Sequence, residues 1–139
     1  MSGELRVICA PHDIRGKKNS TGGTIVKGTV VKLSAATDDL IVVPTAIADA
    51  HYGVAMNDVL DGSMGDFQIG GQAIVRVGTG GVVRGDRLTH DSAGFGRVFT
   101  AAPGGGTNNA LIGIANRTQA TVGGLTEVEL ARPGTMLQG

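Results

Sequence analysis

Branched apolar residues alternate with polar ones in short bursts along this chain, each bounded by Gly or Asp. This is the pattern of short strands and tight turns. Two stretches carry it in matching form: IVKGTVVKLS (residues 25–34) and VVRGDRLTHD (82–91), each with a basic-Gly pair between branched residues. Each is followed by turn-forming sequence and then by a Gly-aliphatic-Ala tripeptide, in YGVAMN (52–57) and IGIANR (112–117). Gly28 to Gly85 is 57 residues and Gly53 to Gly113 is 60, so the offset is nearly constant. Each copy then ends in a Gly pair and an alternating strand, GGQAIVRV (70–77) and GGLTEVEL (123–130). An offset this long, occurring twice, predicts a duplicated β-unit and not a solenoid. With about four strands per unit, the expected fold is mainly β: a single small β-barrel or β-sandwich of roughly eight strands. The domain is placed at 25–139, with related halves at about 25–77 and 82–130.

Composition narrows the alternatives. Gly numbers 24 of 139 residues, and each interior Gly costs a helix about 1 kcal/mol, which argues against a helical bundle. The Gly residues do not recur every third position, so collagen is excluded. Val, Ile and Leu are too abundant for a disordered chain of zero net charge. The aromatics are Tyr52, Phe67, Phe95 and Phe99, so the core must be built from small aliphatics. Cys9 is the sole cysteine, so no internal disulfide staples the fold. No run approaches the ~20 apolar residues of a membrane-spanning helix, and the first residues lack the features of a secretory leader. The sequence reads as a soluble protein made inside a cell.

Charge is balanced overall but segregated. Residues 1–32 hold six cations (Arg6, Arg15, Lys17, Lys18, Lys27, Lys32) against Glu4 and Asp13. Residues 33–66 hold six Asp and no cation, a pattern that turn-forming Asp residues explain without a partner. The segment PHDIRGKKNSTGG (11–23) lacks alternation. Residues 1–24 therefore read as an extended basic N-terminal arm that orders on a partner. Arg6, Arg15, Lys17 and Lys18 are its candidate partner-binding residues. With no interleaved aromatics, direct nucleic-acid binding is not expected.

Catalytic patterns are missing. A nucleophile elbow requires Gly-x-Ser-x-Gly, and DGSMG (61–65) does not fit it. The Gly-rich runs 78–81 and 103–109 lack the Lys of a phosphate loop. His12, His51 and His90 stand about 39 residues apart, without the close pairing of metal ligands, and read as solvated loop residues. Arg84-Gly85-Asp86 parallels Lys27-Gly28-Thr29 and so reads as a strand-opening turn. No catalytic residue, metal or cofactor is assigned.

Taken in order, Lys27–Val30, Gly53–Ala55, Ala73–Val77, Gly85–Leu88, Leu111–Ala115 and Val128–Leu130 resemble the small capsid decoration, or cement, proteins of tailed bacteriophages. The likeness spans about residues 25–132. It implies a compact β-domain that is made in the host cytoplasm and sits in the virion, on the outer surface of the head, as a homotrimer. It also implies the major capsid protein as partner and stabilisation of the shell as function, with no membrane involved. The basic segment 1–24 is longer than in the plainest members and is expected to lie over capsid or neighbouring cement chains. Two other readings are weighed. One is a tail or baseplate β-domain. The other is a small trimeric β-fold hydrolase whose shared site would draw on Asp58, Asp61, Asp66, Asp86, Asp91, Ser63 or a His.

Overall fold

The computed structural model describes residues 13–36, 38–46, 49–91, 93–98 and 108–138. These residues form a mainly β structure with no α-helix among them. Five strands close a barrel: β1 (Ile14–Asn19), β2 (Val30–Leu33), β3 (Leu40–Val42), β4 (Gly53–Ala55) and β5 (Met64–Gln68), in the ring order β1-β3-β2-β4-β5. Five more form a second sheet: β6 (Gln72–Arg76), β7 (Arg87–His90), β8 (Gly96–Val98), β10 (Gly113–Ala115) and β11 (Leu125–Leu130), in the order β6-β11-β10-β7-β8. A short ribbon pairs β9 (Asn108–Ala110) with β12 (Met136–Gln138).

The two five-stranded sheets are copies of one design. Matching β1 with β6, β2 with β7, β3 with β8, β4 with β10 and β5 with β11 makes their neighbour orders identical. The hydrogen bonds repeat as well. Gly28 N–H donates to the Ala55 carbonyl (2.9 Å), and Gly85 N–H donates to the Ala115 carbonyl (2.7 Å). Asn19 N–H donates to Ser63 and Val77 N–H to Gly124, while the reverse turns bring Gly62 N–H to Asn19 and Gly123 N–H to Val77. The bridge Ile25↔Val59 has its counterpart in Val82↔Gln119.

These matches move the unit boundaries. The first unit runs from about residue 13 to 69 and the second from about 71 to 130, not 25–77 and 82–130. GGQAIVRV and GGLTEVEL are not equivalent strands but antiparallel neighbours, with Val75 opposite Thr126. Both are Gly-led alternating strands, so a sequence match cannot distinguish a strand's copy from its partner. The first unit opens with β1, so residues 14–19 are a barrel strand and not part of an arm. β1 shows no apolar alternation because its exposed positions include Arg15 and Lys18 and its buried position is the polar Asn19. Arg15 is the register partner of Phe67 but is itself exposed, and Asn19 is fully buried, donating to the Gly23 and Val59 carbonyls (both 2.8 Å). Residues 1–12 lie outside the described residues.

One feature distinguishes the units. In the first, β3 pairs in parallel with β1 (Lys18↔Leu40, Asn19↔Ile41) and closes the ring. In the second, β8 and β6 do not pair among the described residues. The first unit inserts Gly28–Val30 at that gap: Arg76 N–H of β6 donates to the Gly28 carbonyl (2.8 Å), and Val30 N–H donates to the Gly94 carbonyl in the β7–β8 turn (2.6 Å). The Arg76 side chain reinforces the joint, its Nε donating to the Lys27 carbonyl (3.1 Å) and its Nη1 to Gly123 (2.7 Å).

The cores follow this arrangement. Ile25, Val31, Ile41, Ala55, Val59 and Phe67 fill the barrel. Val30 and Val54 leave the barrel to join Ala73, Val75, Val77, Val82, Leu88, Ile112, Ala115 and Val128 in the second core. Fully burying one such aliphatic contributes roughly 1.5–3 kcal/mol, so the shared core binds the units strongly.

Gly28 has φ +87°, and a Cβ there would stand 2.8 Å from the Arg76 backbone nitrogen; Gly85 has φ +93° with open space around it. Gly85→Ala is therefore expected to cost about 1 kcal/mol, for the left-handed backbone alone. Gly28→Ala should cost about 3 kcal/mol, because the joint must also shift. Urea melts of the two variants measure the difference, and equal losses would contradict the role given to Gly28.

Candidate functional site

Of the four candidate partner-binding residues, β1 carries three. Lys18 and Arg15 are exposed, and Arg15 Nη1 donates to the Ile14 carbonyl (3.1 Å). Lys17 is engaged within the chain: its ammonium lies 2.9 Å from Asp39 Oδ1 and 5.7 Å from the centre of the Tyr52 ring. The hydrogen bond to Asp39 pushes the Lys17 pKa up. Arg6 lies outside the described residues, as do His12 and Cys9. Spacing alone could not separate Lys17 from Lys18; their alternation on a strand does.

The acidic residues serve turns. Asp58 Oδ1 accepts from Lys27 N–H (2.7 Å), Asp61 Oδ1 from Gly22 N–H (2.9 Å), and Asp86 Oδ2 from Val83 N–H (2.7 Å). Asp91 Oδ1 accepts from Ala93 and Phe95 N–H (2.8 and 2.9 Å). Asp66 and Ser63 are exposed. Among the described residues no group of three His, Cys, Asp or Glu is placed to hold a metal ion.

The histidines depart from expectation. His51 and His90 are buried, at 4% and 0% exposure, not solvated. Each sits in a loop or strand end enclosed where the barrel meets the second sheet and the C-terminal turn. His90 Nε2 lies 2.8 Å from the Asp49 carbonyl, its Nδ1 lies 3.2 Å from the Asp91 carbonyl, and Gly134 N–H donates to the His51 carbonyl (2.8 Å). Neither ring nitrogen of His51 has a well-aligned hydrogen-bond partner.

His51 lines a cleft of about 400 Å³, together with Lys32, Leu33, Asp49, Ala50, Tyr52, Pro133 and Gly134. Lys32 Nζ pairs with Asp49 Oδ2 (2.9 Å), and the same oxygen accepts from Thr45 and Ala46 N–H (2.7 and 3.1 Å). The Lys32 hydrogen bond first, then those from Thr45 and Ala46, hold the Asp49 carboxyl well below the usual range. A second cleft, lined by Lys17, Leu33, Ser34, Asp38, Asp39 and Leu40, adjoins the first across Leu33, which is 48% exposed. The sequence signal for this place was slight: one His and one Tyr side by side in a turn-rich stretch.

Burial lowers the His51 pKa from 6.5 to about 4, against a smaller opposite pull from the Ala131 backbone and with a small further push from His90. The folded protein then binds fewer protons at this ring than the unfolded chain does below pH 6.5. Stability from this group is complete above pH 6.5, falls between pH 6.5 and about 4, and is lost below, by about 3 kcal/mol in all. Urea melts across this range should show the decline, and His51→Phe should flatten it. An unchanged slope in that variant would contradict the assignment.

No family model matches the chain, and no curated protein matches it. Among solved structures, the chain is similar to the N base of the head fiber protein gp8.5 of bacteriophage phi29, with a TM-score of 0.61 and 20% sequence identity. The likeness covers 88% of this chain and 96% of that one, and it shows a shared fold.

Proposed function

We propose that this chain is a bacteriophage virion structural protein that decorates the outer surface of the head. In this reading it binds the major capsid protein as a homotrimer and stabilises the shell. The observation that carries the reading is the shared fold with the base of a phage head fiber over nearly the whole of both chains. The surface chemistry agrees with it. The carboxylates cap turns instead of converging, and exposed Arg15 and Lys18 stand beside the segment that holds Arg6. Such a surface binds by spread contacts, and repetition over a lattice turns a weak single contact into tight occupancy.

Arg15, Lys18 and Arg6 are the contacts assigned to the capsid or to a neighbouring decoration chain, while Lys17 holds the barrel. Mixing purified protein with undecorated heads and sedimenting them tests this. The double variant Arg15→Glu/Lys18→Glu should lower head occupancy by about tenfold or more at low salt, with a smaller effect at high salt. Deleting residues 1–12, which leaves β1 intact, should lower occupancy as well. Sedimentation with tails instead of heads, or with neither, would overturn the proposal.

A further inference from the structure

Arg87, Ile114 and Glu129 form a row across the outer face of the second sheet. Ile114 on β10 is in register with Arg87 on β7 and with Glu129 on β11. All three are exposed, Ile114 by 47%, while Leu88, Ala115 and Val128 beside them in the chain belong to the core. Neither the Arg87 guanidinium nor the Glu129 carboxylate has an ion or hydrogen-bond partner among the described residues. Neighbouring strands lie about 4.8 Å apart, so the opposite charges stand roughly 10 Å from each other with an apolar side chain between them.

The same face of the fold is already used for docking once. In the first unit the equivalent row, Val30–Val54–Gln68, is buried against the second unit. In the second unit the row is open, and its charges define what fits it. A row that runs from cation through apolar centre to anion is complementary to itself. A half-turn about an axis parallel to β10, midway between two facing sheets, sets Ile114 on the partner's Ile114. The same half-turn sets Arg87 opposite the partner's Glu129, and it does so twice. An axis along the row would instead oppose like charges, so the charges select one orientation. Facing sheets pack about 10 Å apart, a gap that two isoleucines fill and that arginine and glutamate side chains can cross.

We propose that the row Arg87–Ile114–Glu129 is the contact through which two copies of this chain meet about a two-fold axis. Both copies use the same patch, as a two-fold contact requires. In the single molecule the charged ends keep the row hydrated, and in the pair they meet each other. Three residues a side bury far less than the roughly 800 Å² per partner of a stable complex, so the contact is weak and salt-sensitive. The inference does not depend on the head-binding reading. It is also separate from the threefold contacts of that reading, which a two-fold patch cannot supply.

Cross-linking of the full-length chain tests it. Cys9 is the sole cysteine, so Cys9→Ser/Ile114→Cys carries one thiol, placed at the axis. With a short bis-maleimide at low salt, linked dimers should form about tenfold faster than from Cys9→Ser/Leu60→Cys. That control thiol lies in the first unit, at a position 65% exposed. Adding Arg87→Glu alone, or Glu129→Arg alone, should slow linking to the control rate, because each opposes like charges. Adding both should restore the fast rate, because the opposite charges meet again with their places exchanged. Equal rates for the Ile114 and Leu60 positions would overturn the proposal. A doubly reversed chain that links no faster than the singly reversed ones would overturn it as well.

Discussion

Gly28, Thr29 and Val30 stand where two copies of a five-stranded ring must be joined. A ring of short strands leaves unpaired backbone groups wherever it fails to close, and such groups are costly when buried. The first ring closes through its own β1 and β3. Among the described residues the second does not, and the backbone of Gly28 and Val30 supplies the bonds to Arg76 and Gly94. The same turn sends Val30, and with it Val54, into the second core. The second unit is therefore completed by the first, and its core is shared between them.

Duplication followed by divergence also explains the surface. In the first unit the row Val30–Val54–Gln68 is buried against the second unit. Its copy in the second unit is Arg87–Ile114–Glu129, which is exposed, with Ile114 at 47%. Two charges around one isoleucine suit a face in contact with water. One sequence pattern thus provides both an internal joint and an outer surface, according to which residues occupy one row. An outer surface of dispersed charge, with turns capped by Asp side chains, agrees with the role proposed above.

Much of this was legible in the sequence, and the failures have physical causes. Gly28 with Gly85 and Gly53 with Gly113 were matched correctly, since each pair holds the same place in its unit. The phase of the repeat was missed because β1 hides its strand character. Its buried side chain is Asn19, held by carbonyl oxygens, and half-buried Lys17 is held by a ring and a carboxylate in place of apolar contact, while Arg15 is exposed. Once β1 is overlooked, β6 finds its nearest likeness in its own partner, β11. The burial of His51 and His90 was equally hidden. Both belong to junctions between distant segments, and spacing along one chain carries no record of a C-terminal turn folding back over residue 51.

The central claim is that the two units form one cooperative structure because the first completes the second. Native-state hydrogen exchange tests it most directly, since each amide reports the free energy of the opening that frees it. The amides of Val30 and Arg76, which cross the joint, should open only with global unfolding, at the same free energy as Val31 in the barrel and Val75 in the second sheet. Exchange of Val30 and Arg76 through a lower-energy opening, with either sheet still protected, would contradict the account.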